Sequence, residues 1–501
     1  MKKIENFKFG NVDGKNETSQ DNFSFSSFFN YQGIYNRLEE GKFLILGNKG
    51  TGKTFLLECF KKKKREEGNI FTNIFLDDLF SKKEIIKFNQ ELLDYNKLFK
   101  WIIYIELAKV ILALDSINQS NKNVKLLKEF MNKNQFDLNL HTNKIIESSI
   151  EKGVKGSLNI NKNIFTGFIE RIKSSFCKEE YGKYNEYIKH LEEIIIKIIQ
   201  EEWKSENYIY IIFDELDNIN FLDKDMDKIL LELIKLSNEL NQDWKSKVHI
   251  RILIGMRLDI FLKLNASYTN KIKEDSSIVL SWGKEENLES PLMQMIFHKM
   301  RVQDESLKDL TDFEISKILF TNSKIKIHGK RIPIIKYILG KTLLKPRDII
   351  SFFNKAQFIC GDKNYITPKN AQKIANTFSD YLYMELRNQA HGLIDIQLFD
   401  EVIKLFKNFR KTFFEYEELE NYIIENQEIY KFINKENLKT TLEIFFDIGI
   451  LGNIKSINDH GSMTYYKYRD DVEINFKENL TIHYGIRPYL KLNIENNLSH
   501  N

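Results

Sequence analysis

A short stretch between two apolar runs, Gly47 to Thr54 with the sequence GNKGTGKT, places the strongest constraint on how this chain folds. It is preceded by Phe43–Leu46 and followed by Phe55–Leu57. A short apolar run bounded by glycine is typical of a buried strand, and the residues after the last glycine favour a helix. The sequence therefore predicts a strand that enters a tight glycine-rich loop and leaves it as a helix.

The spacing within this loop matches the pattern GxxxxGK(S/T), which has a physical basis in phosphate binding. The glycines let backbone N–H groups point inward, and the start of the following helix adds positive potential. Lys53 would reach the outer phosphates, and the hydroxyl of Thr54 would ligate Mg²⁺. The predicted nucleotide-binding residues are Gly47, Asn48, Lys49, Gly50, Thr51, Gly52, Lys53, Thr54 and Phe55. The alternative, a chance match in a structural turn, fits the flanking strand and helix less well.

A second apolar run ends in two acidic residues, as hydrolysis of a bound nucleotide requires. Tyr208–Phe213 is predicted to be a strand, and Asp214 and Glu215 follow it directly. Asp214 is predicted to hold Mg²⁺ through its water shell, and Glu215 to orient and polarise the attacking water. If these acids only cap a loop before the next helix, the chain binds a nucleotide without hydrolysing it.

Two arginines are candidates for sensing the terminal phosphate. The predicted strand Val248–Gly255 delivers Arg257 to the carboxyl end of the sheet, where open α/β sheets bind ligands. The alternative for Arg257 is an ordinary surface ion pair. Arg347 follows Pro346, which favours the first position of a helix, so the arginine lies in the first helical turn. A cation there opposes the helix dipole, and either Asp348 or a bound phosphate would offset it.

Length and composition exclude several classes of protein. A chain of 501 residues exceeds the size of a single hydrophobic core, so we expect about two to four domains. The net charge is only +4, and Cys59, Cys177 and Cys360 lie far apart, which argues against a polyanion-binding field, a zinc site and a disulfide framework. The N-terminus lacks a secretory signal, and the most apolar window, Trp101–Leu114, is too short for a bilayer span. We therefore expect a cytoplasmic protein with no membrane partner.

The order of predicted elements divides the chain into four segments. Alternating strands and helices favour a parallel sheet covered on both faces, so the predicted fold class is α/β. The predicted segments are a flexible N-terminal segment at 1–22, a P-loop ATPase domain at 23–262 with an insertion at about 115–182, a helical lid at 263–386, and a winged-helix-like domain at 387–501.

Taken in order, these motifs resemble those of a known family. GNKGTGKT, IIFDELD, ILIGMRLDIF and a helical segment with KPRDII resemble the motifs of AAA+ and STAND-type P-loop ATPases, in particular uncharacterised bacterial ATPases of the defence-associated kind. The likeness covers residues 25–500 apart from the insertion. It implies ATP and Mg²⁺ as cofactors, with Arg257 at a sensor 1 position and Arg347 at a sensor 2 position. The predicted catalytic residues are Glu215, Lys53, Arg257 and Arg347.

The sequence departs from plain AAA+ members in two ways. AAA+ proteins usually have a small polar residue at sensor 1, whereas the segment Gly255–Arg257 is closer to the STAND pattern. The chain between Lys53 and Asp214 is also long for an AAA+ protein. A ring of subunits is therefore not implied, and Arg301 is only a candidate for an arginine finger that acts on a neighbouring subunit.

The C-terminal segment resembles a winged helix. Three helices are predicted before a group of short strands, at Leu393–Phe406, Glu415–Asn426 and Glu436–Ile448. In DNA-binding versions the third helix enters the major groove, but here it offers Lys439, with Lys435 just before it, against two glutamates. Lys455, Lys467 and Arg469 are candidates for a basic wing, with protein contact as the favoured role. We therefore expect a protein partner or self-association, and DNA only as the weaker alternative.

The leading hypothesis is an ATP-hydrolysing molecular switch in bacterial defence or signalling, in which ATP draws the lid toward the sheet. ATP is favoured over GTP because the sequence has no NKxD tetrapeptide of the kind that reads guanine. Phe28, Phe29 and Tyr31 are candidates for packing on the base, although they would serve equally well as core. The alternatives are a DNA-binding ATPase, such as a replication initiator or nucleotide-responsive regulator, and an interaction protein that binds nucleotide with little turnover.

Overall fold

The computed structural model describes most of the chain. The predicted insertion at about 115–182 lies mainly outside the described part, as does the C-terminal end. The described residues are 1–20, 23–75, 95–133, 181–203, 206–216, 226–264, 266–327, 330–391, 393–456, 462–470 and 472–492.

A five-stranded parallel sheet lies at the centre of the first of two hydrophobic cores. Its strands are β1 (Leu44–Leu46), β2 (Ile70–Ile74), β3 (Ile209–Phe213), β4 (Ile250–Met256) and β5 (Ser277–Val279). Their order is β2-β3-β4-β1-β5, and every neighbouring pair is parallel. Ile45 of β1 stands beside Gly255 on one side and Ile278 on the other. The predicted α/β class with a parallel sheet is confirmed, and the phosphate loop leaves the sheet one strand in from its edge.

Helices cover this sheet. They are α1 (Gly14–Thr18), α2 (Ile34–Glu39), α3 (Lys53–Glu66), α4 (Tyr95–Ala113), α5 (Lys122–Lys133), α6 (Tyr181–Glu202), α7 (Met226–Trp244), α8 (Leu258–Lys263) and α9 (Thr269–Ser276). All residues of β1 and β3 are buried, as expected for parallel strands with both faces covered. β5 is not evident in the sequence, because a strand of three residues is too short to show a periodic pattern.

The apolar window Trp101–Leu114 belongs to the buried helix α4 rather than to a membrane span. Most of its side chains contribute to the first core. Within the described ranges, no helix is both long and apolar enough to cross a bilayer.

The predicted lid, 263–386, includes α9 and β5, which belong instead to the first core with the sheet. The rest of the lid has five helices and one antiparallel hairpin in its described residues. They are α10 (Pro291–Gln303), α11 (Asp312–Leu319), β6 (Lys324–Ile327), β7 (Lys330–Pro333), α12 (Ile334–Leu339), α13 (Pro346–Cys360) and α14 (Pro368–Ala390). Proline at the first position starts α10, α13 and α14, where its missing N–H and fixed φ are no cost. A capping box between Thr311 and Glu314 starts α11.

The C-terminal part has three helices, a one-turn helix and a small antiparallel sheet. The elements are α15 (Ile396–Phe409), β8 (Phe413–Phe414), α16 (Tyr416–Glu425), α17 (Lys435–Ile448), β9 (Leu451–Ser456), β10 (Ser462–Tyr465), α18 (Lys467–Asp470) and β11 (Asn479–Ile482). The strand order is β10-β9-β11-β8. Gly449 ends α17 with φ +93°, a left-handed conformation that favours glycine. Helix α14 continues through the predicted boundary at 386, and this part shares the second core with the lid.

The N-terminal residues are packed, in contrast to the flexible segment predicted for 1–22. Ile4, Phe7 and Phe9 are buried in the second core, where the Phe9 ring lies 5.1 Å from that of Phe353 on α13. The backbone N–H of Ile4 donates to the carbonyl of Lys363 at 2.8 Å. The segment is mostly polar, so its composition did not indicate that these three apolar residues are buried. Their burial depends on contacts with residues far away in the sequence.

Candidate functional site

The phosphate loop joins the end of β1 to the start of α3. Gly50 and Gly52 have φ of +85° and +97°, where a side chain would strain the backbone. A Cβ atom added at Gly47 would lie 2.4 Å from the Thr51 hydroxyl oxygen. Each glycine is therefore required by the loop conformation, as the motif predicts.

Lysine and threonine side chains hold the loop in shape from inside. The ammonium of Lys53 donates to the carbonyl of Gly47 at 2.9 Å and to that of Asn48 at 3.4 Å. The Thr51 hydroxyl donates to the same Asn48 carbonyl at 2.8 Å. Lys53 is buried, and its ammonium faces the loop carbonyls. This arrangement fits a phosphate chain, whose oxygens would replace the loop carbonyls as partners of the ammonium.

Thr54 and Asp214 are the two predicted metal ligands; Thr54 follows the phosphate loop, and Asp214 lies at the carboxyl end of a parallel strand. Thr54 is in the first turn of α3, and Asp214 follows β3. Burial raises the pKa of Asp214, while the charges of Lys15 and Lys53 lower it. A divalent cation would strongly favour the charged carboxylate, so a buried acid at this place fits Mg²⁺. Neither here nor elsewhere in the described residues are three or more His, Cys, Asp or Glu side chains gathered for a metal.

Gly255 is a site residue that the sequence did not reveal. It lies on β4, between the strands that carry the loop and the acids. A Cβ atom at Gly255 would lie 2.7 Å from the Oδ1 atom of Asp214. Only glycine leaves room for the carboxylate, and no local signal in the sequence indicates this.

Glu215, the predicted water-activating residue, has an unusual backbone and an unexpected partner. Its φ of +60° is rare for a residue with a side chain, and such strained positions concentrate at functional sites. Its carboxylate forms an ion pair with the ammonium of Lys15, from helix α1 of the N-terminal segment. Burial alone would lower the pKa of Lys15, but the hydrogen bond to Glu215 raises it above its usual value. The sequence gives no hint of this contact between residues 200 positions apart.

Arg257 lies at the carboxyl end of β4, as predicted. It precedes α8, and its side chain binds the carboxylate of Asp259 through both Nε, at 3.0 Å, and Nη2. The guanidinium is therefore held at the same edge of the sheet as the two acids. Phosphate sensing by Arg257 stays a prediction.

The start of α13 sits directly on the phosphate loop. The N–H of Arg347 donates to the carbonyl of Gly50 at 3.4 Å. Its guanidinium forms an ion pair with Glu385 of α14 at 3.1 Å, and its Nε atom is buried without a hydrogen-bond partner among the described residues. Glu385 therefore supplies negative charge that offsets Arg347 at the start of α13. The sequence had suggested Asp348 or a bound phosphate for this role. The sensor role of Arg347 stays a prediction, but the structure brings this residue to the loop.

Two further charged residues are buried beside Arg347. Burial lowers the pKa of Lys345, and the nearby cations Arg257 and Arg347 lower it further. Burial also raises the pKa of Asp348 to about 6, although its carboxylate accepts a hydrogen bond from the N–H of Leu343 at 2.9 Å. Lys345 and Arg347 therefore lie against Gly50 of the phosphate loop, with the acidic side chains of Asp348 and Glu385 close to them.

A stack of aromatic rings lies next to the loop. The Tyr31 and Trp282 rings are 5.7 Å apart with 18° between their planes, and Phe29 stacks on Tyr31 at 6.2 Å. The indole N–H of Trp282 donates to the carbonyl of Thr51 at 2.9 Å. Phe28 belongs instead to the first core. Two of the three predicted base-packing residues therefore share a platform with Trp282, which the sequence did not single out.

Most of the other cations considered for function are engaged in ion pairs. Arg301 pairs with Asp312 inside the lid. In the C-terminal part, Lys435 pairs with Glu420 at 3.0 Å. The remaining pairs are Lys467 with Glu473, and Arg469 with Glu286 and Asp470. Lys435, Lys467 and Arg469 are therefore each next to an acidic side chain that competes with a phosphate for the cation.

Comparisons with known proteins bear mainly on the lid. A family profile described as the FunZ-associated C-terminal helical domain matches residues 291–387, which are similar to that domain and span α10 to α14. No curated protein matches the chain.

Two solved structures align with nearly the whole chain, at low similarity. Cdc6p from Pyrobaculum aerophilum is 10% identical, with 95% of this chain and 96% of that chain covered and a TM-score of 0.33. The ORC2 protein from Aeropyrum pernix is also 10% identical, with the same coverage and a TM-score of 0.36. These TM-scores are too low to assign a fold. The P-loop NTPase fold is assigned from the strand order of the sheet and from the phosphate loop.

Proposed function

We propose that the protein is a P-loop ATPase of the AAA+ or STAND type that works as a molecular switch. The observation that carries the proposal is the arrangement at one edge of the parallel sheet. The phosphate loop follows β1, Asp214 and Glu215 follow β3, and Arg257 follows β4. The loop alone would support only phosphate binding, whereas two carboxylates beside it supply what hydrolysis requires.

Each residue has a distinct role in the proposed reaction. Lys53 would exchange the loop carbonyls for the outer phosphates of ATP. Thr54 and Asp214 would hold Mg²⁺, which neutralises phosphate charge when bound. Glu215 would orient and polarise the attacking water after it leaves Lys15.

The aromatic platform supports binding of a nucleotide base. The base would pack on the stack of Tyr31 and Trp282, which is tied to the loop through Thr51. A flat apolar platform does not itself distinguish adenine from guanine, but the absence of an NKxD tetrapeptide favours ATP.

The contact between the loop and the lid supports a switch. Arg347 touches Gly50 through its backbone and Glu385 through its side chain, so a terminal phosphate would compete with Glu385 for the guanidinium. Such competition would change how α13 and α14 lie on the loop. The winged-helix-like part shares a core with the lid and would pass the change to a protein partner or another copy of the chain. The resemblance to defence-associated ATPases supports a role in bacterial defence or signalling.

Two variants test the proposal. Lys53→Ala should abolish binding of a fluorescent ATP analogue, while Glu215→Gln should keep binding and lose steady-state phosphate release. Lys245→Ala, which changes an exposed lysine on the first domain, serves as the control and should match the wild type. Equal binding with and without Lys53 would overturn the proposal.

The alternative is a DNA-binding ATPase that inserts α17 into the major groove of duplex DNA. It requires α17 to grip phosphates, yet Lys435 is paired with Glu420 and Lys439 lies over the Phe476 ring at 5.2 Å. Duplex DNA binding that depends on ATP and weakens steeply with salt would support this alternative.

A further inference from the structure

A large cleft opens between the lid and the C-terminal part, away from the phosphate loop. Its volume is about 1920 Å³. Ligand pockets for small molecules typically hold roughly 300–1,000 Å³, so this cleft is large enough for a chain-like ligand. One wall comes from α11, α12 and the hairpin of β6 and β7, and the other from β8, β9, β10 and the residues around β11.

The lining of the cleft is strongly basic. Its acidic residues are Glu286 and Asp470, and both pair with Arg469, at 3.2 and 3.1 Å. The basic residues are Lys284, Lys317, Lys330, Lys336, Lys341, Arg469 and Arg487. This local excess stands out in a chain whose 75 basic and 71 acidic side chains nearly balance. A groove of this kind attracts a polyanion.

Aromatic rings are exposed along the same lining. Phe413 is 62% exposed, Phe313 55% and Tyr484 44%. The ammonium of Lys317 lies 4.1 Å from the centre of the Phe313 ring, and the guanidinium of Arg487 lies 4.0 Å from that of Tyr484. Exposed rings beside cations are the combination that holds unpaired bases by stacking and their backbone by charge.

One polar group in the cleft wall lacks a partner. Tyr466 is almost fully buried and lines the cleft, and its hydroxyl has no hydrogen-bond partner among the described residues. A buried hydroxyl without a partner costs free energy, so such groups are uncommon in native structures. A polar ligand in the cleft would reach this hydroxyl only after a small shift of the wall, because the oxygen atom itself is buried.

We propose that this cleft binds single-stranded nucleic acid, with the lysines on the phosphates and the exposed rings stacked on bases. Single strands are favoured over duplex because the faces of bases in a duplex are already stacked and cannot reach the rings. The proposal is independent of the ATPase chemistry and differs from insertion of α17 into a major groove.

Fluorescence anisotropy of the full chain with labelled 20-nucleotide oligo(dT) and oligo(U) tests the proposal. We expect binding that weakens with salt, with a duplex of the same length binding less tightly; comparing the two oligonucleotides distinguishes DNA from RNA as the source. Lys53→Ala should bind as well as the wild type, which separates this result from the test of ATP binding.

Matched surface variants locate the binding site. Phe413→Ala should weaken binding by roughly 5- to 150-fold, the range for loss of one stacked base. Phe358→Ala is the control, because Phe358 is 88% exposed and lies outside the cleft. Lys336→Glu should weaken binding and flatten its salt dependence, whereas Lys363→Glu, an exposed lysine outside the cleft, should not. No binding by the wild type, equal losses in the paired variants, or binding of an acidic peptide but neither oligonucleotide would overturn the proposal.

Discussion

Removing Lys15 should release Glu215 and speed ATP hydrolysis. In the structure the Lys15 ammonium forms an ion pair with the Glu215 carboxylate. The proposed mechanism needs that carboxylate to orient the attacking water. Because the contact comes from α1, outside the sheet, the N-terminal segment would hold the site at rest. Lys15→Ala removes the partner of Glu215 without touching the phosphate loop.

The size of the effect follows from the exposure of the pair. The side chains of Lys15 and Glu215 are 40% and 39% exposed, so solvent screens their attraction. Pairs of this kind contribute roughly 0.2–1 kcal/mol, which corresponds to about a 1.5- to 5-fold higher rate constant if the pair must break before the chemical step. Lys15→Arg keeps the charge and should behave as the wild type.

Single-turnover phosphate release with saturating ATP and Mg²⁺ measures this rate constant directly. Lys8→Ala, a change to an exposed lysine of the same segment, is the matched control and should leave the rate unchanged. A rate for Lys15→Ala that is equal to or below that of the wild type, at an unchanged melting temperature, would refute the idea that Lys15 restrains Glu215.

The remaining predictions concern stability and the loop. Glu17→Ala leaves the Lys299 ammonium, 3% exposed and 2.7 Å from the carboxylate, buried without its partner, and should lower the free energy of unfolding in urea by roughly 3–5 kcal/mol; a loss below 1 kcal/mol would contradict this. Gly47→Ala forces Cβ against Thr51 and should abolish binding of the ATP analogue with little change in melting temperature. Asp348 has a pKa raised by burial to about 6, so the native state binds its proton more tightly than the unfolded chain and stability falls as pH rises. Relative to Asp348→Asn, the wild type should lose about 1 kcal/mol of unfolding free energy between pH 5 and pH 7, and parallel curves for the two proteins would disprove the assignment.

Local sequence was sufficient for the elements that build the nucleotide site. GNKGTGKT predicts a strand, a loop and a helix because each part depends on neighbours within a few residues. The apolar run before Asp214 predicts its strand for the same reason. Proline at position 346 likewise predicts where α13 starts, and the structure confirms it.

Features that depend on distant residues were not predictable. β5 is too short for a periodic pattern, and the packing of Ile4, Phe7 and Phe9 depends on lid helices hundreds of residues away. A polar composition therefore suggested flexibility where the structure shows burial. The partner of Arg347 was likewise open, because Glu385 approaches it only through the packing of α14 on α13.

The sequence by itself determined the chemistry that this chain offers: a phosphate loop, two acids after a strand, and arginines at predicted strand and helix ends. Only the tertiary structure decided which distant residues contact this site. Lys15 reaches Glu215, and Trp282 reaches Thr51, across 200 and 231 positions. The physical reason is that periodicity and turn preferences act over a few residues, whereas ion pairs and close packing act over a few ångströms whatever the distance along the chain.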